Sequence, residues 1–186
     1  ICVPLLFFAG FLLSSANAQT LEPTTYSETP DDPFVEVPRS KMRLGEARTW
    51  THNGHVSVQV NVAAGGANIV GDAANEPSIA VDPDNPNFIT IGWRQFDTIT
   101  SNFRQAGLGV STDGGLTWLF PGVLDPGVFR SDPVLDFDSD GNFYYNSLTY
   151  DSDYRCDVFK STDGGATWGP PVFAYGSDKQ GMTIDR

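Results

Sequence analysis

The sequence predicts an all-β chain built from repeated four-stranded antiparallel units, on three observations. The octets "STDGGLTW" (111–118) and "STDGGATW" (161–168) differ only at Leu116 and Ala166 and begin 50 residues apart. A longer stretch, "EPSIAVDPDNPNFITIGW" (76–93), lies over "DPVLDFDSDGNFYYNSL" (132–148) with a single gap, matching Pro77 to Pro133, Asp82 to Asp138, Asp84 to Asp140, Asn87 to Asn142 and Phe88 to Phe143. Upstream, "HVSVQVNV" sets Val56, Val58, Val60 and Val62 against Ser57, Gln59 and Asn61, the period of a strand with one buried face.

Taken in order, the chain opens on an apolar run that ends in Ala16-Asn17-Ala18, the small-x-small pattern of a signal-peptidase cut. Its apolar core from Val3 to Leu13 is shorter than the roughly 20 residues of a spanning helix. Residues 1–18 are therefore expected to be a signal peptide, and the mature protein to be secreted, extracellular or periplasmic, with no membrane span. The chain starts at Ile1 without a basic n-region and stops at "GMTIDR", inside an expected strand, so it is expected to be a piece of a longer protein. Residues 19–54, with Pro23, Pro30, Pro33 and Pro38 among Thr, Ser and acidic residues, read as an extended linker. Residues 55–75 supply the alternating strand and a Gly/Ala/Asn loop.

From 76 to 186 each unit reads as strand, turn, strand, variable loop, third strand, octet turn and fourth strand. The first unit takes "RQFDTITSNFRQA" as its loop, "GLGVS" as its third strand and "TWLF" as its fourth. The second takes "TYDSDYR", "CDVFKS" and "TWGPPVF". A third copy starts at "MTIDR", with Asp185 in the place of Asp82. Four antiparallel strands per roughly 50 residues is the pattern of a β-propeller blade. The expected fold is a β-propeller fragment, two full blades and the start of a third.

Each residue type in the octet has a structural task. The glycine pair, including Gly115 and Gly165, reaches the positive φ of a tight reversal. Asp113 and Asp163 can accept from backbone N–H groups of their own turn. Ser111, Thr117, Ser161 and Thr167 can tie the mouth of the turn, and Trp118 and Trp168 provide apolar plates over the hairpin. The pattern Ser-x-Asp-x-Gly-x-Thr-Trp resembles the Asp-box, or bacterial neuraminidase repeat. Over about 76–186 the chain resembles the Asp-box propellers of the sialidase-like family. The resemblance implies that the boxes sit between third and fourth strands, on the face opposite an active site, so Asp113 and Asp163 are structural rather than catalytic.

Hairpin parity sends the search to the other face, where loops join second to third strands and one blade to the next. That face would carry the candidate ligand-binding residues Glu76, Arg94, Arg104, Arg130, Asp132 and Arg155, beside Tyr150, Asp151, Asp153 and Tyr154. Asp178 and Lys179 would fill the same ring for the third blade. Likeness to a sialidase implies arginines gripping a substrate carboxylate bidentately. It also implies a Tyr nucleophile activated by Glu, and an Asp acid/base. The Arg-Ile-Pro signature of that family is absent, with "VFRSDP" (128–133) only a distant echo, and the Tyr/Glu pair is expected beyond Arg186. Two functions stay open: an exo-α-sialidase-like glycosidase acting on extracellular glycans by retaining chemistry, or a non-catalytic propeller binding glycan or protein.

"DFDSDGN" (136–142) matches the start of a calcium loop through Asp136, Asp138 and Asp140, but its twelfth position is Ser147 rather than Glu. Turn chemistry accounts for the same residues, so no cofactor is expected and calcium is a weak candidate. His52 and His55 form a weak metal pair. With 23 acidic against 11 basic residues, a net charge of −12 and no Lys/Arg cluster, the chain lacks the basic footprint that nucleic acid requires. Cys2 falls in the expected signal peptide, which leaves Cys156 as a lone thiol of the kind usually buried as a small apolar residue.

Overall fold

The computed structural model describes residues 29–30, 32–176, 178 and 181–185. The expected signal peptide and Lys179 lie outside the described residues. Apart from one 3-10 turn at Arg39–Lys41, the named elements are strands, all paired antiparallel. No helix among the described residues is long and apolar enough to cross a membrane.

Two small sheets come first. Strand β1 (Arg43–Gly45) pairs with β4 (Asn68–Val70), and β2 (Thr49–His52) pairs with β3 (His55–Val58). The second pair is a hairpin through Asn53 and Gly54, whose φ values of 48° and 80° are those of an Asn-Gly reversal. Part of the stretch expected as an extended linker is thus ordered strand. The alternating segment 55–62 is not one continuous strand either. Its ladder with β2 ends at Val58, and the Val62 N–H then donates to the Val60 carbonyl two residues back (2.9 Å), which bends the chain. Burial grows along it, from exposed Val56 to Val62 at 2 % exposure, because only its far end meets a packed layer.

The first large sheet comprises β5 (Ala73–Val81), β6 (Ile89–Phe96) and β7 (Gln105–Ser111). The second runs in the order β11 (Val172–Phe173), β10 (Tyr154–Ser161), β9 (Phe143–Tyr150), β8 (Ser131–Phe137). The four-strand expectation holds in the second sheet only. In the first, the expected fourth strand at 117–120 shrinks to isolated bridges, Val110 with Leu119 and Ala106 with Leu124. Pro121 brings no N–H to a ladder, and in the second sheet Pro170 and Pro171 interrupt pairing between Gly169, whose N–H donates to the Lys160 carbonyl (2.8 Å), and Val172. Residues 181–185 form no strand, but the Ile184 N–H donates to Asp136 Oδ2 (3.1 Å).

The large sheets pack face to face. Ala80, Ala106, Leu108 and Val110 of the first interleave with Leu135, Phe143, Tyr145 and Phe159 of the second. Contact is close because Gly92 has no side chain: a Cβ there would stand 2.5 Å from Tyr145 Cε2. The Tyr145 hydroxyl crosses the gap to donate to the Gly107 carbonyl (3.1 Å). The other face of the first sheet carries Trp93, which meets Phe120 edge-on (5.1 Å) and joins Ile69, Val60 and Met42 from the N-terminal layer.

Candidate functional site

Antiparallel pairing sorts the chemistry to two ends of the large sheets. The octets close β7 and β10 at one end. The starts of β5, β7, β8 and β10 and the ends of β6 and β9 share the other.

At the octet end the two copies repeat almost bond for bond. Ser111 Oγ donates to Asp113 Oδ1 (2.8 Å) and accepts from Gly115 N–H (2.9 Å). Thr117 donates its N–H to Asp113 Oδ1 (2.9 Å) and its hydroxyl to Oδ2 (2.6 Å), and the Trp118 indole donates to the Gly115 carbonyl (3.0 Å). Ser161, Asp163, Gly165, Thr167 and Trp168 reproduce these at 2.8, 2.9, 2.8, 2.5 and 3.0 Å. The Thr117 hydroxyl and N–H, then Ser111, hold the Asp113 carboxyl at a pKa of about 2, and the same donors in the second copy lower Asp163. A carboxylate so supplied with donors is poorly suited to proton transfer near neutrality.

The opposite end gathers five of the six candidate residues into two ion groups. Glu76 and Asp132 hold equivalent places, each before a proline and at a break in ladder register, with φ of 50° and 47°. A residue with a Cβ enters that region at a cost of about 1–2 kcal/mol. Both carboxylates converge on Arg94: Nη2 lies 2.7 Å from Glu76 Oε2 and donates to Asp132 Oδ1, which also accepts from the Ser131 hydroxyl (2.6 Å). Burial pushes the Asp132 carboxyl up, but the bonds from Arg94 and Ser131 prevail and hold it below the usual range.

Arg130 centres the second group, at 2 % exposure. It donates to Asp157 Oδ2 (2.8 Å) and Asp125 Oδ2 (2.6 Å), and its guanidinium lies 5.1 Å from the Phe159 ring centroid. Arg155 bonds Asp151 and lies 3.8 Å from Asp157 Oδ1. Between the groups sits Cys156, buried, its thiol pushed up to about 11 by burial and then by Asp157 and Asp132. Arg104 neighbours Arg130, whose N–H donates to the Arg104 carbonyl (3.0 Å); its own guanidinium donates to the Asn102 carbonyl (3.4 Å) and lies over the Phe129 ring (4.9 Å). Asp178 is exposed.

Of the carboxylates in the calcium-like loop, Asp136 and Asp138 are engaged by protein donors, and Asp140 is exposed. Burial raises the Asp138 carboxyl, but Asn142, Tyr144 and the Asp140 N–H outweigh it and bring the pKa to about 2. Asp136 accepts from the Phe137 and Ile184 N–H groups. His52 and His55 face each other across the β2–β3 hairpin, where the His52 ring stacks on Trp50 (5.2 Å). Among the described residues no group of three or more His, Cys, Asp or Glu is placed to hold a metal ion.

Sequence reasoning missed a third ion group. Arg39 Nη1 lies 3.6 Å from Asp72 Oδ2 and Nη2 lies 3.6 Å from Asp97 Oδ1, with the guanidinium 3.9 Å from the Phe120 ring centroid. Gln95 donates to Asp72 (3.3 Å) and Gln105 to Asp97 (2.8 Å). Burial raises both carboxyls against these partners. No spacing linked Arg39 to acids 33 and 58 positions away.

An open cleft of about 720 Å³ lies at this end beside the β9–β10 loop, lined by Asp151, Asp153, Tyr154, Arg155, Phe173 and Tyr175 among others. No family model matches this chain, and no curated protein matches it.

Proposed function

We propose that the chain carries two blades of a secreted, sialidase-like Asp-box propeller, and that the end opposite the boxes binds extracellular glycan without hydrolysing it. The repeated octet geometry supports the propeller. Further support comes from Leu135 N–H donating to Ser78 Oγ (3.0 Å) and Ile184 N–H to Asp136 Oδ2 (3.1 Å). When the repeats are aligned, the second bond is the first moved along by two residues, as expected if one rotation relates successive units.

The observation that carries the binding reading is charge pairing. Arg94, Arg130 and Arg155 each face two carboxylates, so they bring no surplus positive charge to a sugar acid. The cleft that Arg155 lines offers aromatic faces and carboxylate acceptors, which suit the C–H faces and hydroxyls of uncharged sugars. Full-length protein is expected to bind neutral glycans on an array and to leave a fluorogenic sialoside intact, with Tyr154→Ala weakening the glycan by about tenfold, the order of one lost hydrogen bond and ring contact. Release of the fluorophore would overturn this reading.

The glycosidase reading keeps one support, the convergence of Glu76 and Asp132 at one guanidinium. Turnover that disappears in Glu76→Gln would establish it.

A further inference from the structure

Residues 32–39 were expected to be linker, yet they lie along the end of the sheets where ligand-binding residues were sought. Three anchors hold them. Asp32 and Asn102 exchange hydrogen bonds, N–H to Oδ1 (3.1 Å) and N–H to Oδ2 (2.9 Å), which fixes the segment to the β6–β7 loop. The Phe34 ring tilts against Phe103 (5.3 Å between centroids) and covers Gly127, where an added Cβ would touch it at 3.4 Å. Arg39 then inserts between Asp72 and Asp97. Upstream, Thr29 Oγ1 meets the Tyr154 hydroxyl (3.3 Å) at the head of β10.

The stretch therefore touches the β6–β7 loop, and Thr29, upstream of it, touches the head of β10. It is also lightly seated, with Asp32, Phe34, Val35 and Glu36 all exposed. Beneath it lies a cavity of about 220 Å³, walled by Phe34, Val35 and Val37 on one side and by Thr98, Phe103 and Gln105 on the other. Such a segment has exposed apolar side chains and a small interface to break, the physical description of a low-stability element.

The geometry points to residues 32–39 acting as a strap that fills, in cis, a groove along the β6–β7 loop, and that a ligand must displace to reach the loop end. The ligand part rests on the glycan-binding reading; the strap itself does not. Opening needs no rearrangement of the sheets, because the anchors are side-chain contacts outside the ladders.

The test uses the full chain, the double variant Asp32→Ala/Phe34→Ala, and a fluorescein-labelled peptide of residues 32–41, "DPFVEVPRSK". Loss of the Asn102 N–H bond to the Asp32 carboxylate and of the Phe34–Phe103 ring contact frees the groove, so the peptide is expected to bind the variant at least about tenfold more tightly than the wild type. A peptide carrying Phe34→Ala is expected to lose that binding. Equal binding to both proteins, or to neither, overturns the strap. On a neutral glycan, an affinity gain of similar size in the variant ties the strap to the ligand site, and an unchanged affinity overturns that link. If neither protein binds glycan, the binding reading fails while the peptide titration still decides the strap.

Discussion

At the scale of single residues, the two octets are a matched pair in different surroundings, and the difference can be read in energy. Gly115 and Gly165 have φ of 86° and 88°, so alanine meets the same backbone cost at each, about 1–2 kcal/mol. Around them the space differs. A Cβ at Gly115 finds Trp118 at an ordinary 3.5 Å, whereas one at Gly165 would stand 2.7 Å from Thr90 Oγ1, because the second octet packs against the first sheet. Gly165→Ala is therefore expected to lower the melting temperature more than Gly115→Ala. Equal losses would mean that the octet does not seat on its neighbour. Asp113 adds a pH signature. Its folded pKa, about 2, lies below the unfolded value, so its contribution is complete above about pH 4 and lost as pH falls through 2. Asp113→Asn should flatten the acid limb of the melting curve against pH, and an unaltered limb would dismiss the carboxylate's role.

At the scale of elements, the ends of β6, β8 and β10 are tied by buried charge. Arg130 is the strongest test, since its removal leaves Asp157 buried beside a missing cation. Arg130→Ala is expected to cost about 3–5 kcal/mol by chemical denaturation, the range for breaking a buried pair. Arg130→Lys should recover only part of this, because one ammonium cannot fork between Asp125 and Asp157 as the guanidinium does. Full recovery would reduce the group to simple charge. These ties also show what was legible beforehand. The octets were readable because Ser, Asp, Gly and Thr act within eight residues, where sequence distance and spatial distance coincide. The convergence of Glu76 and Asp132 was half readable: their equivalence shows in the repeat, their common partner Arg94 only in the packing of two sheets. Arg39 was hidden, since the prolines around it masked a segment that is pinned by distant side chains. The β2–β3 hairpin had its Asn53-Gly54 signal in plain view, but the valine alternation after it outweighed that signal. A period of two records which side a residue faces, not whether anything lies there.

At the scale of the molecule, the first large sheet is the middle of three layers, and its glycines set the spacing on both sides. Gly92 faces the second sheet, where an added Cβ would meet Tyr145 at 2.5 Å and Leu135 at 2.7 Å. Both neighbours are buried, and the Tyr145 hydroxyl is held by the Gly107 carbonyl, so neither can retreat without opening the interface. Gly109 faces the N-terminal layer, where the Cβ would meet Val60 Cγ1 at 2.5 Å. Val60 is only half-buried and lies where the chain bends beyond β3, so it has room to give. Gly92→Ala is expected to cost about 1–3 kcal/mol as an overpacked core, and Gly109→Ala less. Hydrogen exchange separates the two effects: Gly92→Ala should speed exchange in β8 and β9, and Gly109→Ala in β1 and β4. If either substitution loosened all three layers alike, the sheets would be one cooperative block, and the repeated units would not be the elements in which stability is organised.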